Sequence, residues 1–259
     1  MIGRAVPDGI PLARAIAADT EPCDHIKVVN SGLNSLTEYG RRTAPQFDLE
    51  ELRAAVQAAA DRGLEVMVHA NGEEPVRIAV LAGCRSIEHG FFMGRDNLAR
   101  MAERGTVWVP TAVTMQAYAG RLSRCGRDPD AARRTLDHQI EQLARARELG
   151  VTVAVGTDAG TPGVDHGSAV RAEMQCLVLA GYRVEEAVRC ATVNAAGLMG
   201  TDAPLLQPSR LATLVVVPGP PSELPDSLRQ ARAVIMRGRI LRAHGCGDAA
   251  REGDEFGGP

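Results

Sequence analysis

The sequence predicts an α/β protein built as a (β/α) barrel, a TIM-type arrangement of parallel strands with covering helices. Three observations carry that expectation. From residue 24 onward, short apolar β-type runs alternate with amphipathic helical stretches, the pattern of a parallel sheet. Three of those runs, VMVHA (66–70), SIEHG (86–90) and VAVGTDAG (153–160), lead directly into a potential metal ligand: His69, His89 and Asp158. Barrel enzymes place their chemistry where strands give way to loops. Finally, 45% of the residues are hydrophobic but only 3% aromatic, so aliphatic side chains must pack the core, as suits helices around a sheet.

The elements follow in order. IKVVN, within DHIKVVNSG (24–32), is the first strand. DLEELRAAVQAAADRG (48–63) is a helix with Asp48 as N-cap, Glu51 completing a capping box and Gly63 as the stop. LEVMVHA is a strand, EEPVRIAVLAGC a helix, RSIEHG a strand, RDNLARMAERG a helix and TVWVPTA a strand. TMQAYAGRLSRCGRDPD (114–130), rich in Gly, Arg and polar residues, is expected to be a loop that walls a pocket. AARRTLDHQIEQLARARELG is a helix buried through Leu136, Ile140, Leu143 and Ala144, with Gly150 ending it. VTVAVGTDAG is the last barrel-type strand, and SAVRAEMQCLVLAG and VEEAVRCATVNAAGLMG are two helices.

The character then changes. LATLVVV and ARAVIMRGRIL are β-type runs separated by the Pro-rich PGPPSELPDS. The expected division is a partial barrel over 1–204, a small C-terminal β appendage over 205–245 and a disordered tail over 246–259. Five barrel-type strands are legible where a closed barrel needs eight, so the barrel is expected to be incomplete, with open sheet edges prone to self-association.

Bulk properties narrow the partners. A net charge of −3 without a long basic run speaks against a nucleic-acid surface or a polybasic membrane patch, leaving a small molecule as the expected partner. Six cysteines with no C-x-x-C pair indicate neither a zinc ribbon nor a disulfide framework, and no export signal or membrane span is legible. A cytoplasmic location is the expectation.

The chemistry of the three strand-end residues is that of a hydrolytic metal site. His69 and His89 each offer an imidazole nitrogen to a divalent cation, which activates a water as nucleophile. Asp158 can serve as ligand and as proton shuttle, taking the proton from that water and delivering it to the leaving amine. Thr111 and Tyr118, after the TVWVP strand, are candidate pocket-lining residues. His166, in DHGS ahead of a helix, either contacts substrate or caps that helix. His25, His138 and His244 are expected to be structural or solvated.

In these segments, from about residue 20 to 245, the chain resembles the metal-dependent amidohydrolase superfamily, and within it the imidazolonepropionase-like enzymes and Xaa-Pro dipeptidases. His69, His89 and Asp158 match in order the residues closing strands five, six and eight, so the chain would hold about strands 4 to 8. The resemblance implies that Lys27 is the strand-four lysine, carboxylated by CO2 to bridge two metal ions, a reaction that needs the neutral amine. It implies one or two divalent ions, zinc above all, and hydrolysis of a C–N amide bond in a dipeptide, an acylated amino acid or a cyclic amide.

Three departures stand out. The six histidines include no H-x-H pair, which the family carries on its first strand. Thr213 stands where that family has an aspartate, Ser209-Arg210 where it has Gly-Lys, and Asn71 follows His69-Ala70 where many relatives have another histidine. Two readings therefore stay open: a metal-dependent hydrolase, or an inactive fragment or subunit that needs a partner for the missing H-x-H half.

Overall fold

The structure, a computed structural model, describes residues 6, 7, 9–202 and 205–243. The tail expected over 246–259, and His244, lie outside these residues. The chain divides into two compact units, residues 1–202 and 203–259.

The first unit is an α/β fold around a parallel sheet. Helix α1 (Leu12–Ala18) precedes β1 (His25–Val29), α2 (Leu49–Ala60), β2 (Glu65–Ala70), α3 (Glu73–Ala82), β3 (Ser86–His89), α4 (Arg95–Arg104) and β4 (Val107–Val109). The four strands are parallel and adjacent in chain order. Each crossover helix is closed off as its sequence dictates. Asp48 accepts the Glu51 amide while the Glu51 carboxylate accepts the Asp48 amide, both arms of the capping box on α2. Gly83 and Gly105 take the left-handed backbone that ends α3 and α4.

Register places two rows of side chains on one face of the sheet. Lys27, Met67, Ser86 and Val107 are one row, and Val29, His69, Glu88 and Val109 the next. Met67, Val107 and Val109 pack there with Ala154 and Leu198. On the opposite face Val68, Ile87 and Trp108 are fully buried. The alternation is therefore apolar on the helix side and mixed on the inner side, so the inner face is where polar groups can gather.

Beyond β4 the structure departs from the sequence reading in several ways. Residues expected to be a loop form α5 (Val113–Arg124), its buried side made of Val113, Met115, Ala119 and Leu122. Gly120 and the interspersed arginines hid that stripe. The following helix, α6 (Asp130–Leu149), is rotated from the expected face: it buries Thr135, Gln139, Gln142, Leu143 and Ala146, two glutamines among them.

The predicted strand over 151–160 is reduced to a single parallel bridge between Trp108 and Val153, with Trp108 N donating to Thr152 O and Ala154 N to Trp108 O. Gly156 passes so close to Val109 that any Cβ would collide with its side chain. Helix α7 (Ser168–Leu179) follows. The last expected helix splits into α8 (Val184–Arg189), a π-helical turn over Cys190–Asn194 and α9 (Ala195–Leu198). Helix α1 had no counterpart in the sequence reading.

In the second unit β5 (Leu214–Val216), β6 (Ala233–Met236) and β7 (Arg239–Ala243) form an antiparallel sheet. The run read as one strand, 231–241, turns back at Arg237-Gly238. Both residues have positive φ, the requirement of a two-residue hairpin. No helix among the described residues is long and apolar enough to cross a membrane.

Replacing Asp48 with Ala removes one arm of the capping box, and the expected loss is about 1 kcal/mol of unfolding free energy by urea titration. An unchanged midpoint would mean that α2 is held by packing alone.

Candidate active site

Three non-glycine residues at the exits of the inner strands have left-handed backbones: His89 at φ 69°, Thr111 at 47° and Asp158 at 52°. Such conformations are uncommon, and for a β-branched threonine a genuine outlier. At His89 the consequence is direct. Strict alternation would put its side chain on the face of Ile87, but the turn takes it out of the strand pattern, and its ring lies edge-on to His69 with centroids 4.6 Å apart.

The His89 ring and backbone are both fixed. Its Nδ1 lies 2.7 Å from Thr111 Oγ1. Its carbonyl accepts from Trp108 Nε1 at 2.9 Å and from Gln139 Nε2 at 2.7 Å. Gln142 donates to Gly90 O and to Gln139 Oε1 and accepts from Gly94 N. The two buried glutamines of α6 thus satisfy the carbonyls of a turn that has left the sheet ladder.

The two residues after Thr111 are held in turn by Glu173 of α7. This fully buried carboxylate accepts Ala112 N at Oε1 (3.0 Å) and Val113 N at Oε2 (2.7 Å), capping the first turn of α5. Neither the glutamines nor Glu173 was singled out from sequence. Mid-helix Gln and Glu read as a solvated face unless the helix is already known to be buried there.

Burial keeps both imidazoles neutral. The His89 ring is driven down to about 3 by desolvation, then by the His69 and Lys27 charges. His69, 6% exposed, is also lowered, mainly by desolvation, with the Gly32 carbonyl acting against it. Its Nε2 lies 3.3 Å from Gly32 O and 3.4 Å from Asn71 Nδ2. Neutral imidazole is the metal-binding form. In the tautomer that gives Nδ1–H of His89 to Thr111 Oγ1, Nε2 keeps a free lone pair, the arrangement in which an outer hydrogen bond orients a ligand.

Among the other predicted residues, Thr111 is bonded to His89 and the rest have the following surroundings. Asp158 is exposed, and its Oδ2 accepts from Thr161 Oγ1 at 2.9 Å. Its charge is felt at His69, Glu88 and Tyr118. Lys27 lies in mid-strand on β1 and is exposed, yet its charge acts on His69, His89 and Glu88. Glu88, missed from sequence, stands beside His69 in register and accepts from Ser86 Oγ at 2.6 Å, and burial raises its carboxyl. Thr111 is buried, Tyr118 half-buried and His166 exposed beside the Asp158 loop.

The donor chemistry of His69 and His89 fits a divalent cation. The donor count does not close a site: among the described residues no three His, Cys, Asp or Glu side chains are placed to hold a metal ion. The His69 and His89 rings are in contact; a shared centre with Asp158 belongs to the proposed function below.

Residues 10–241 match the model of the amidohydrolase family. Ochratoxinase of Aspergillus niger is 30% identical over 183 residues, which cover 70% of this chain and 37% of that protein. The imidazolonepropionase of Symbiobacterium thermophilum is 31% identical over 205 residues, 75% of this chain and 44% of the relative. Among solved structures, a Xaa-Pro dipeptidase with methionine in its active site superposes with a TM-score of 0.78 at 29% identity, covering 93% of this chain and 64% of the other. The chain therefore spans less than half the length of those two curated relatives.

Glu173 gives the site a testable pH signature. Burial pushes its carboxyl up to about 7 from an ordinary 4.5, the Val113 and Ala112 N–H groups acting against it. The folded state then holds the proton more tightly than the unfolded chain, so its contribution is full below pH 4.5 and is lost as pH rises toward about 7. Unfolding curves of Glu173→Gln across that range are expected to show a flatter pH dependence than the parent. An identical slope would remove Glu173 as its source.

Proposed function

This chain belongs to the amidohydrolase family, and we propose that its His69–His89 site serves metal-assisted hydrolysis of a C–N amide bond in a small molecule. The observation that carries the reading is the imidazole pair itself: two buried, neutral rings in contact at 4.6 Å, one oriented by Thr111. Similarity to a Xaa-Pro dipeptidase structure supports a peptide-like substrate.

His69 and His89 would hold the cation, zinc being the natural choice for imidazole donors, with Asp158 and a carboxylated Lys27 as the further ligands this chain offers. A bound divalent ion supplies Lewis acidity, polarising the amide carbonyl and acidifying water. The remaining steps belong to the protein. Thr161 holds Asp158 Oδ2, which leaves Oδ1 to accept a proton from the attacking water and hand it to the leaving amine. Thr111 holds the His89 ring, while Gln139 and Trp108 hold its backbone carbonyl. The described cysteines are free thiols, in keeping with a cytoplasmic enzyme.

The donor count favours a second reading. With β1 at the edge of the sheet and two imidazoles as the paired donors, the chain acts as one half of a site, completed by ligands on a segment that pairs along β1. Both readings are separated by one experiment on the full chain: metal content by plasma emission, and turnover of dipeptides and N-acyl amino acids with added zinc, manganese or cobalt. For the hydrolase, Asp158→Asn is expected to keep its metal and lose turnover by about 100-fold or more, while His69→Ala and His89→Ala lose the metal. Near-normal turnover in Asp158→Asn would overturn the proton-transfer role. Metal uptake with no turnover in the parent would favour the half-site.

A further inference from the structure

We propose that residues 33–42, between β1 and α2, form a lid beside the imidazole pair, latched through Tyr39 and released when His138 takes up a proton. This device goes beyond the hydrolase reading and stands without it, because the lid and its latch are built from other residues.

The segment is tied at its neck and little elsewhere. Gly32 N donates to Thr43 Oγ1 at 2.8 Å, and Gln46 N and Phe47 N donate to the main-chain and side-chain oxygens of Asn30, so the two ends lie together as in an Ω-loop. Among the described residues no main-chain hydrogen bond joins residues 33–45 to another part of the chain, and none of those residues is buried. A segment held this way opens at small cost in free energy. It is nonetheless next to the candidate site. Gly32 O lies 3.3 Å from His69 Nε2, and Leu36 packs on the cluster of Phe91, Phe92 and Met115. The Phe91 ring in turn lies parallel to that of His89, with centroids 6.5 Å apart.

One aromatic side chain fastens the far end. Tyr39 meets Phe92 edge-on at 5.4 Å between centroids, has the Arg134 guanidinium 4.1 Å from its own centroid, and lies 6.5 Å from the ring of His138. His138 is itself against Phe92 at 4.7 Å. An edge contact and a cation over a ring are each modest, so the latch is reversible.

His138 supplies the trigger. Its Nδ1 is inaccessible to water and has no hydrogen-bond partner among the described residues, so a proton placed there would be buried unpaired. On its own helix it faces Glu141, which is paired with Arg145 at 3.7 Å, with Arg134 one turn back. From the lid it faces the Tyr39 phenol and Arg42, whose guanidinium is paired with Glu73 at 3.1 Å. Phe92 brings no charge. Desolvation holds the imidazole below its ordinary 6.5, Glu141 acts against this, and Arg145 and Arg42 lower it further. The closed lid therefore binds the proton less tightly than an opened, solvated His138 does. Closure is full above pH 6.5 and is lost as pH falls below it. Because Arg42 belongs to the lid, the added repulsion acts on the part that moves.

Methyl NMR of the full chain labelled at leucine tests this, since the Leu36 methyls are displaced by the neighbouring aromatic rings only while the lid is closed. In Tyr39→Ala they are expected near their opened positions even at about pH 7.5, whereas Tyr39→Phe should keep the closed ones. Between about pH 7.5 and about pH 5.5 the parent is expected to raise its opened population by about threefold or more. His138→Phe and His138→Gln, which take no proton there, should show no such rise, and the buried methyls of Leu98 should not move in any of these proteins. The Glu173 carboxyl, pushed up to about 7, acts in the opposite direction, favouring the folded state as pH falls. Closed positions in Tyr39→Ala, an acid response that persists in both His138 variants, or one shared by Leu98 would each overturn the lid and its trigger.

Discussion

The hydrogen bond between His89 Nδ1 and Thr111 Oγ1 is the contact on which the rest of the candidate site depends. Both residues are at the ends of strands, and both have the left-handed backbone that an L-amino acid adopts at a cost. The local energy is therefore unfavourable twice over and must be offset by what surrounds it. What it secures is a particular direction for one imidazole, toward His69 and away from the helix layer to which simple alternation would assign it.

The offsetting interactions come from helices that follow the sheet in sequence. Gln139 and Gln142 of α6 reach the carbonyls of the His89 turn, Trp108 adds an indole N–H, and Glu173 of α7 ties down the amides after Thr111. All four side chains are essentially inaccessible to water. A buried polar group costs free energy unless it is bonded, so each is retained where a carbonyl or amide has left the regular ladder and needs a partner. Burial also lowers the pKa of both imidazoles, which favours the neutral form that can donate a lone pair.

Much of this was legible in the chain, for identifiable reasons. The capping box at Asp48 and Glu51, the glycine stops and the apolar runs before His69 and His89 are local signals, and local chemistry decides them. The helix over 113–124 was not legible because its apolar positions are interrupted by Gly120 and arginines, and its start is capped by Glu173, some 60 residues away in sequence. The strand before Asp158 reads strongly but is held to a single bridge where Gly156 crosses Val109. Glu88 was passed over beside His89, although its register next to His69 makes it part of the inner face. Lys27 was expected near the end of the first strand and lies in its middle, and its exposure depends on which neighbours flank β1, a tertiary property.

In the proposed site the His69 and His89 rings share a cation. Anomalous diffraction at the zinc edge, from crystals of the full chain grown with zinc, decides this. The expected result is one strong peak within about 2.1 Å of a ring nitrogen of each histidine, with His89 Nδ1 still bonded to Thr111. A peak elsewhere on the molecule, with the two rings in contact and no metal between them, would contradict it.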